Sequence, residues 1–211
     1  VDIDAAPKTT GRPRDPEVER SILTATQDLL ISNGYPGTTI AEVARRARCS
    51  KAAIYRRWET KADLVVASVR ALQVAPALPD TGDLREDLLA AAMHFAGADE
   101  RSGAVLASLL GELGRDPELY DVAYRAVGRP PVAALIAVIE RWIERGVVPP
   151  DVPIPLIAGI VPTAAFGSVT LRKRPLDPGT VTDLVDAVML PALRVGTGPS
   201  AARPSAPCPT A

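Results

Sequence analysis

Apolar residues recur along most of the chain at intervals of three and four, the spacing of a helix face, and nowhere settle into the alternation of a strand. The first run opens at Asp15-Pro16, an N-cap followed by proline at the first helical position, and closes at Asn33-Gly34. Val18, Ile22, Ala25 and Leu29 mark its buried face. Thr39 and Glu42 read as a capping box for a helix of about two turns that ends near Arg46. Ser50 caps a third helix reaching about Arg57, and Thr60 with Asp63 forms a second capping box ahead of Leu64, Val65, Val69 and Leu72. Ala75-Pro76 stops that fourth helix.

The helical period continues beyond the loop at PALPDTGD. Leu84, Leu88, Leu89, Ala92 and Phe95 mark one helix, and Leu106, Leu109, Leu110 and Leu113 another. Asp116-Pro117 repeats the start signal of the first helix. Arg129-Pro130-Pro131 interrupts the helix opened there, and the pattern resumes from Val132 to Gly146. A penultimate helix is expected over 152–172 and a last one from Thr180 to about Val195, where Val181, Leu184, Val185, Val188 and Met189 keep one stripe. The expected fold is therefore all-α. Its parts are an arm over 1–14, a three-helix head with a helix-turn-helix over 15–60, a larger helical body over 61–195, and a proline-rich disordered tail over 196–211.

Charge changes this picture at one place. From Val43 to Lys61 the chain carries seven Lys or Arg against a single acid, Glu59, although its overall net charge is only −1. Residues 1–61 carry a surplus of +3 and residues 62–211 a deficit of −4, the pattern of a basic head on an acidic body. In a helix-turn-helix the second helix enters the major groove while its neighbours grip phosphates. The third helix exposes Ser50, Lys51, Tyr55, Arg56 and Arg57, while Ile54 and Trp58 turn to the core. Ala52 and Ala53 keep its first turn slim. Thr39 offers a hydroxyl and free N–H groups to one phosphate, and Lys61 suits a second.

These residues resemble the tetracycline-repressor (TetR) family of bacterial regulators, from about Gly11 to Val69. The likeness rests on GRPR, on GYPGTTIAEVA, on CSKAAIY and on the W-x-x-K of Trp58 and Lys61; Gly37, Thr38, Thr39, Val43, Ala44 and Tyr55 fill the family's slots. Arg48 stands where the family usually has glycine, which calls for a left-handed residue or a different turn. Arg57 replaces the usual His and Trp58 the usual Phe. The resemblance implies that Thr39, Tyr55 and Lys61 hold phosphates, that Ser50, Lys51, Ala52 and Arg56 lie near bases or groove walls, and that Arg12 and Arg14 reach an adjacent minor groove.

Val152 to Leu171 is twenty residues without a charge, long enough to span a bilayer. Three prolines, two glycines and several hydroxyls dilute it, so the expectation is no membrane and instead a helix buried against a second copy. The family's last two helices form a four-helix bundle between subunits. The homodimer contacts expected here are Ile157, Val161, Ala165, Val169, Val181, Leu184, Val185 and Val188. The resemblance also implies an effector cavity in the body, with Phe95, Leu109, Leu113, Tyr124, Trp142 and Phe166 as candidate lining and an apolar small molecule as occupant. His94, the one histidine, is expected to be packed or solvated, and Cys49 to be a small core residue.

One histidine, no paired carboxylates, no His/Cys/Glu metal set and no glycine-rich loop leave no enzyme, cofactor or metal expected. Two distant cysteines and a polar, acidic N-terminus in place of a secretory signal point to the reducing cytoplasm. The expected function is a dimeric repressor bound to double-stranded operator DNA and released by a small apolar effector. The alternatives are a helical ligand-binding or protein-interaction module that has lost DNA binding, and an effector-independent regulator or activator.

Overall fold

The computed structural model describes residues 15–73, 75–76, 78–96, 99–172 and 174–194. The arm with Arg12 and Arg14, and the tail with Cys208, lie outside them. In chain order the α-helices are α1 (Pro16–Gly37), α2 (Ile40–Arg46), α3 (Lys51–Tyr55), α4 (Lys61–Arg70), α5 (Leu84–Ala92), α6 (Glu100–Leu110), α7 (Pro117–Ala123), α8 (Arg129–Glu144), α9 (Ile154–Ala158), α10 (Ile160–Arg172), α11 (Pro178–Leu184) and α12 (Leu190–Arg194). Among the described residues the extended pairing is one isolated parallel bridge, Ala96 to Leu176.

The helix starts follow local chemistry. The side chains of Asp15, Thr39, Ser50, Thr60, Asp83, Asp99, Asp116 and Asp177 each accept a hydrogen bond from a backbone N–H of the first turn, a group that otherwise lacks a partner. Thr60 and Asp63 complete the reciprocal box. At Thr39 only half of it forms: the Glu42 carboxylate accepts instead from Arg45, whose Nε lies 2.9 Å away. The last helix begins at Pro178 behind the cap Asp177, earlier than Thr180 and by the same Asp-Pro signal as α1 and α7. Gly34 interrupts α1 with φ of 68°, and Arg48 takes the left-handed φ of 51° that the helix 2–3 turn demands.

The expected break at Arg129-Pro130-Pro131 is not there. A π-helical segment, Tyr124–Gly128, joins α7 to α8 without interruption, and a second, Val185–Met189, joins α11 to α12 just before Pro191. Proline cannot donate to the carbonyl four residues back, and its ring crowds that carbonyl. A widened turn ahead of it relieves both problems: Arg129 N–H reaches Tyr124 O and Leu190 N–H reaches Val185 O, five residues back.

Three apolar cores result. The head core joins Ile22, Leu29, Val43, Ile54 and Leu64, with Cys49 and Trp58 at its margin. The body core joins α5, α8, α9, α10 and the last helices through Leu88, Leu135, Ile139, Ile157, Val161 and Met189. Between them a joint core packs Leu30, Val65 and Val69 against Val105, Leu109 and Leu119. Helix α4 thus gives Leu64 to the head and its next residues to the joint, so the expected boundary at 60/61 opens a helix shared by both units. Polar ties reinforce the joint. Ser108 donates to Leu30 O at 2.9 Å, Gln27 donates to Ser68 O at 2.8 Å, and Arg101 bridges to Asp28 at 2.8 Å.

Candidate nucleic-acid interface

Helix α3 is one short rod locked at both ends. Ser50 Oγ accepts from Ala53 N–H at 3.1 Å, and Ala53 and Ile54 are buried in the head. That anchoring turns Ser50, Lys51, Ala52, Tyr55 and Arg56 outward together, with Tyr55 54% exposed. Lys51 and Arg56 have no ion-pair partner among the described residues, so both cations face solvent unneutralised. Thr39 is exposed at the start of α2; its Oγ accepts from Glu42 N–H at 3.2 Å, which leaves its hydroxyl proton free to donate to a phosphate.

Two expected contacts are placed differently. The Arg57 side chain is only 9% exposed and is folded back onto the head, donating to Ala53 O at 3.0 Å and Asp15 O at 3.4 Å, with Glu19 at 3.9 Å. Its guanidinium therefore holds the start of α1 against the end of α3, because α3 stops at Tyr55 and the next turn swings residue 57 inward. Lys61 points toward the joint: Nζ donates to Tyr35 O at 2.9 Å and lies 3.7 Å from the centre of the Tyr35 ring. Burial lowers the Lys61 pKa, against the opposing pull of Asp116 and Glu112. Burial, with the Asp116 carboxylate beside the phenol, raises that of Tyr35 well above its ordinary value. Cys49 sits half-buried at the head core, its thiol pKa raised by burial and pulled the other way by Arg57.

The body holds a cavity of about 480 Å³ walled by α4, α6, α10 and the turn after α5. Phe95 and Phe166 are among its lining residues. Leu109 and Leu113 are not: they pack in the joint core, whereas Leu110 of α6 lines the cavity and Leu106 touches both. Tyr124 lies on the surface, 51% exposed and stacked on Tyr120, and Trp142 is buried elsewhere with its Nε1 donating to Asp87 at 2.9 Å. The cavity also takes Gln73, His94 and Val169, none of them expected in its lining: Val169 was read as a subunit contact and His94 as a packed or solvated side chain.

Most of the residues expected at a subunit contact are instead buried within the protomer. Ile157, Val161, Val169, Val181 and Val185 are at most 3% exposed within a single protomer, and Ala165 lines the cavity. The period was right, but the body core needed that face. Leu184 is half-buried, and Val188, 42% exposed, is the one member fully at the surface. Helices α9 and α10 turn outward Leu156 at 71%, Phe166 at 50% and Leu171 at 84% exposure, with Thr163 exposed and Gly167 partly exposed between them. The last helix turns out Ala187, Val188 and Pro191. Pro117–Glu144 and Ile154–Arg172 are long and apolar enough to cross a membrane by length and composition. Pro117–Glu144 gives Leu135, Val138, Ile139 and Trp142 to the body core, and Ile154–Arg172 gives it Ile157, Ala158 and Val161. No group of three or more His, Cys, Asp or Glu among the described residues could hold a metal ion.

Comparison with known proteins assigns both halves of this arrangement. Residues 22–68 match the bacterial regulatory proteins of the tetR family, and residues 78–188 match the tetracyclin repressor-like C-terminal domain. An HTH-type transcriptional regulator of Mycobacterium bovis is 30% identical over 201 residues, covering 93% of this chain and 100% of the relative. A DNA-binding transcriptional repressor, TetR, of Mycobacteroides abscessus is 31% identical over 179 residues, covering 83% and 94%. The crystal structure of a TetR family transcription regulator aligns with a TM-score of 0.59 at 27% identity, over 82% of this chain and 97% of that one. NalD, the secondary repressor of the MexAB-OprM multidrug efflux pump in Pseudomonas aeruginosa, shares the fold with a TM-score of 0.64 at 17% identity, over 84% and 97%.

Proposed function

The chain belongs to the tetR family of bacterial regulatory proteins and is a DNA-binding transcriptional regulator; on that premise we propose that it is a cytoplasmic, dimeric repressor whose hold on its operator is released by a small apolar molecule. The observation that carries the reading is the outward set Ser50, Lys51, Ala52, Tyr55 and Arg56 on α3, held rigidly over the head core. In this reading the N-terminal turn of α3 meets base edges while Thr39 and Tyr55 hold phosphates, and Arg12 and Arg14 extend into the neighbouring minor groove. Lys61 joins the phosphate contacts only by leaving Tyr35.

Two heads on a two-fold axis read a pseudo-palindrome, with half-sites about one DNA turn or more apart. The face that would pair is Leu156, Thr163, Gly167 and Leu171 with Ala187 and Val188, supported by its apolar exposure and by open space around Gly167. The uncharged cavity beneath α4 supports an apolar effector, since α4 is the helix shared by head and body.

The test is a footprint on the DNA flanking the gene, taken across a salt series. Binding weakens steeply with salt, and Lys51→Ala, which removes one cation from the groove, makes the slope of log K against log salt shallower by up to about one unit. A flat slope, or the same slope in the variant, removes α3 from the DNA. Loss of the footprint with an apolar ligand, and its retention in an Ala165→Phe variant that narrows the cavity, supports release; equal release from both proteins refutes it.

A further inference from the structure

A second cavity, of about 450 Å³, lies in the cleft between head and body. Its head side is Glu19, Leu23, Trp58 and Arg70; its body side includes Ala126, Pro130 and Pro131, where the π turn hands over to α8. Gln73 and His94 line this cleft and the inner cavity alike, so the two side chains form the wall that separates them.

The two chambers differ in charge. Among the described residues the inner cavity is lined by no Asp, Glu, Lys or Arg, and its polar side chains are Gln73, His94 and Ser102. Ser102 bonds to Asp99 at the start of α6, 3.0 Å away, while Gln73 and His94 make up the wall shared with the outer cleft. An ionised group cannot be left inside without a partner to offset its lost hydration. The outer cleft supplies a partner: Arg70 ends α4 exposed and without an ion pair among the described residues, whereas its one acid, Glu19, lies 3.9 Å from Arg57.

We propose that the two chambers form one site for an elongated amphiphile, whose apolar body fills the inner cavity and whose anionic end passes between Gln73 and His94 to Arg70 in the outer cleft. This deepens the effector reading above and rests on it. Such a ligand touches the head directly, at Leu23, Trp58 and Arg70, as well as the body. Its anionic end therefore sits where the spacing of head and body is set, and a neutral apolar molecule of the same length reaches only the inner chamber. The combined size lies within the range of about 300–1,000 Å³ that drug-sized ligands occupy.

Calorimetric titration of the full chain with three probes of equal length, dodecanoate, dodecanol and dodecyltrimethylammonium, tests this. Dodecanoate binds tightest and the cation weakest. Arg70→Gln weakens dodecanoate about tenfold to a hundredfold, the span of a charge-assisted hydrogen bond, and leaves dodecanol unchanged. Arg70→Lys retains most of the preference, and Ala165→Phe weakens both dodecanoate and dodecanol. Arg70 is exposed, so its variants keep the wild-type melting curve and the comparison stands even if Ala165→Phe folds poorly. Equal affinity for the three probes, or an Arg70→Gln variant with unchanged dodecanoate binding, overturns the two-chamber site while leaving an apolar effector intact. If none of the probes binds, the amphiphile is wrong. The effector reading then falls with it only if no apolar ligand releases the operator footprint.

Discussion

Gly167→Arg yields a folded monomer that has lost about a hundredfold to ten-thousandfold of its operator affinity. The fold survives because a Cβ built at Gly167 meets nothing within 4 Å, so the new side chain projects from α10 into open space. Replacing a helical glycine with a better helix former also favours the protomer slightly. The affinity falls because one dimer engages two half-sites, and separating its heads forfeits the effective concentration that links the second contact to the first, a factor of about 10²–10⁴. Sedimentation and a melting curve check the first half, operator titration the second. A charge at Val185 would test folding instead, since that side chain is buried in the protomer. If Gly167→Arg and Val188→Asp together still sediment as a dimer, the pairing face lies elsewhere.

Asp87→Ala costs about 2–4 kcal/mol, the penalty for leaving buried donors without their acceptor. Asp87 is wholly buried, where its carboxylate accepts from Thr81 N–H at 2.7 Å, Thr81 Oγ at 2.8 Å and Trp142 Nε1 at 2.9 Å. The truncation leaves the indole N–H without its acceptor and unties the loop before α5 from the end of α8. For a chain of this size the melting temperature drops by roughly 10 °C. Burial alone would raise the Asp87 pKa, but the bonds from Thr81 and Trp142 and the nearby Arg141 outweigh it and hold the carboxyl below its ordinary value. A carboxyl depressed by folding stabilises the protein fully above its unfolded pKa of about 3.9, and that stability is lost as pH falls through the lower folded value. Acid unfolding of Asp87→Asn is correspondingly shallower below about pH 4. An Asp87→Ala protein that melts with the wild type would show that this network adds nothing to the body.

The loop at 79–81 carried no signal of this network. Asp87 lies on α5 and Trp142 on α8, 55 residues later, and no periodicity within either helix pairs them. Sequence did mark the head well. Thr60 and Asp63 cap α4 as read, Arg48 adopts the left-handed turn its position demanded, and Lys51, Tyr55 and Arg56 stand outward. Arg57 and Lys61 were read as surface cations and are tied to Ala53 O and Tyr35 O, acceptors that only the packed head presents.

The division follows from range. A cap, an Asp-Pro start or a left-handed turn is decided by groups within about four residues, so the chain itself determined nearly every helix start and the existence of the reading helix. A stripe of leucines on α6, or a helix apolar all round such as α10, says only that some face must be buried. Whether Leu109 meets the joint and Leu110 the cavity, or whether Val161 meets its own core and Gly167 the outside, depends on which helices lie against each side. Even the prolines of α8 and α12 show this: locally they forbid an ordinary helix, and only a body core that holds the flanking turns in line makes a π turn the cheaper answer than a break.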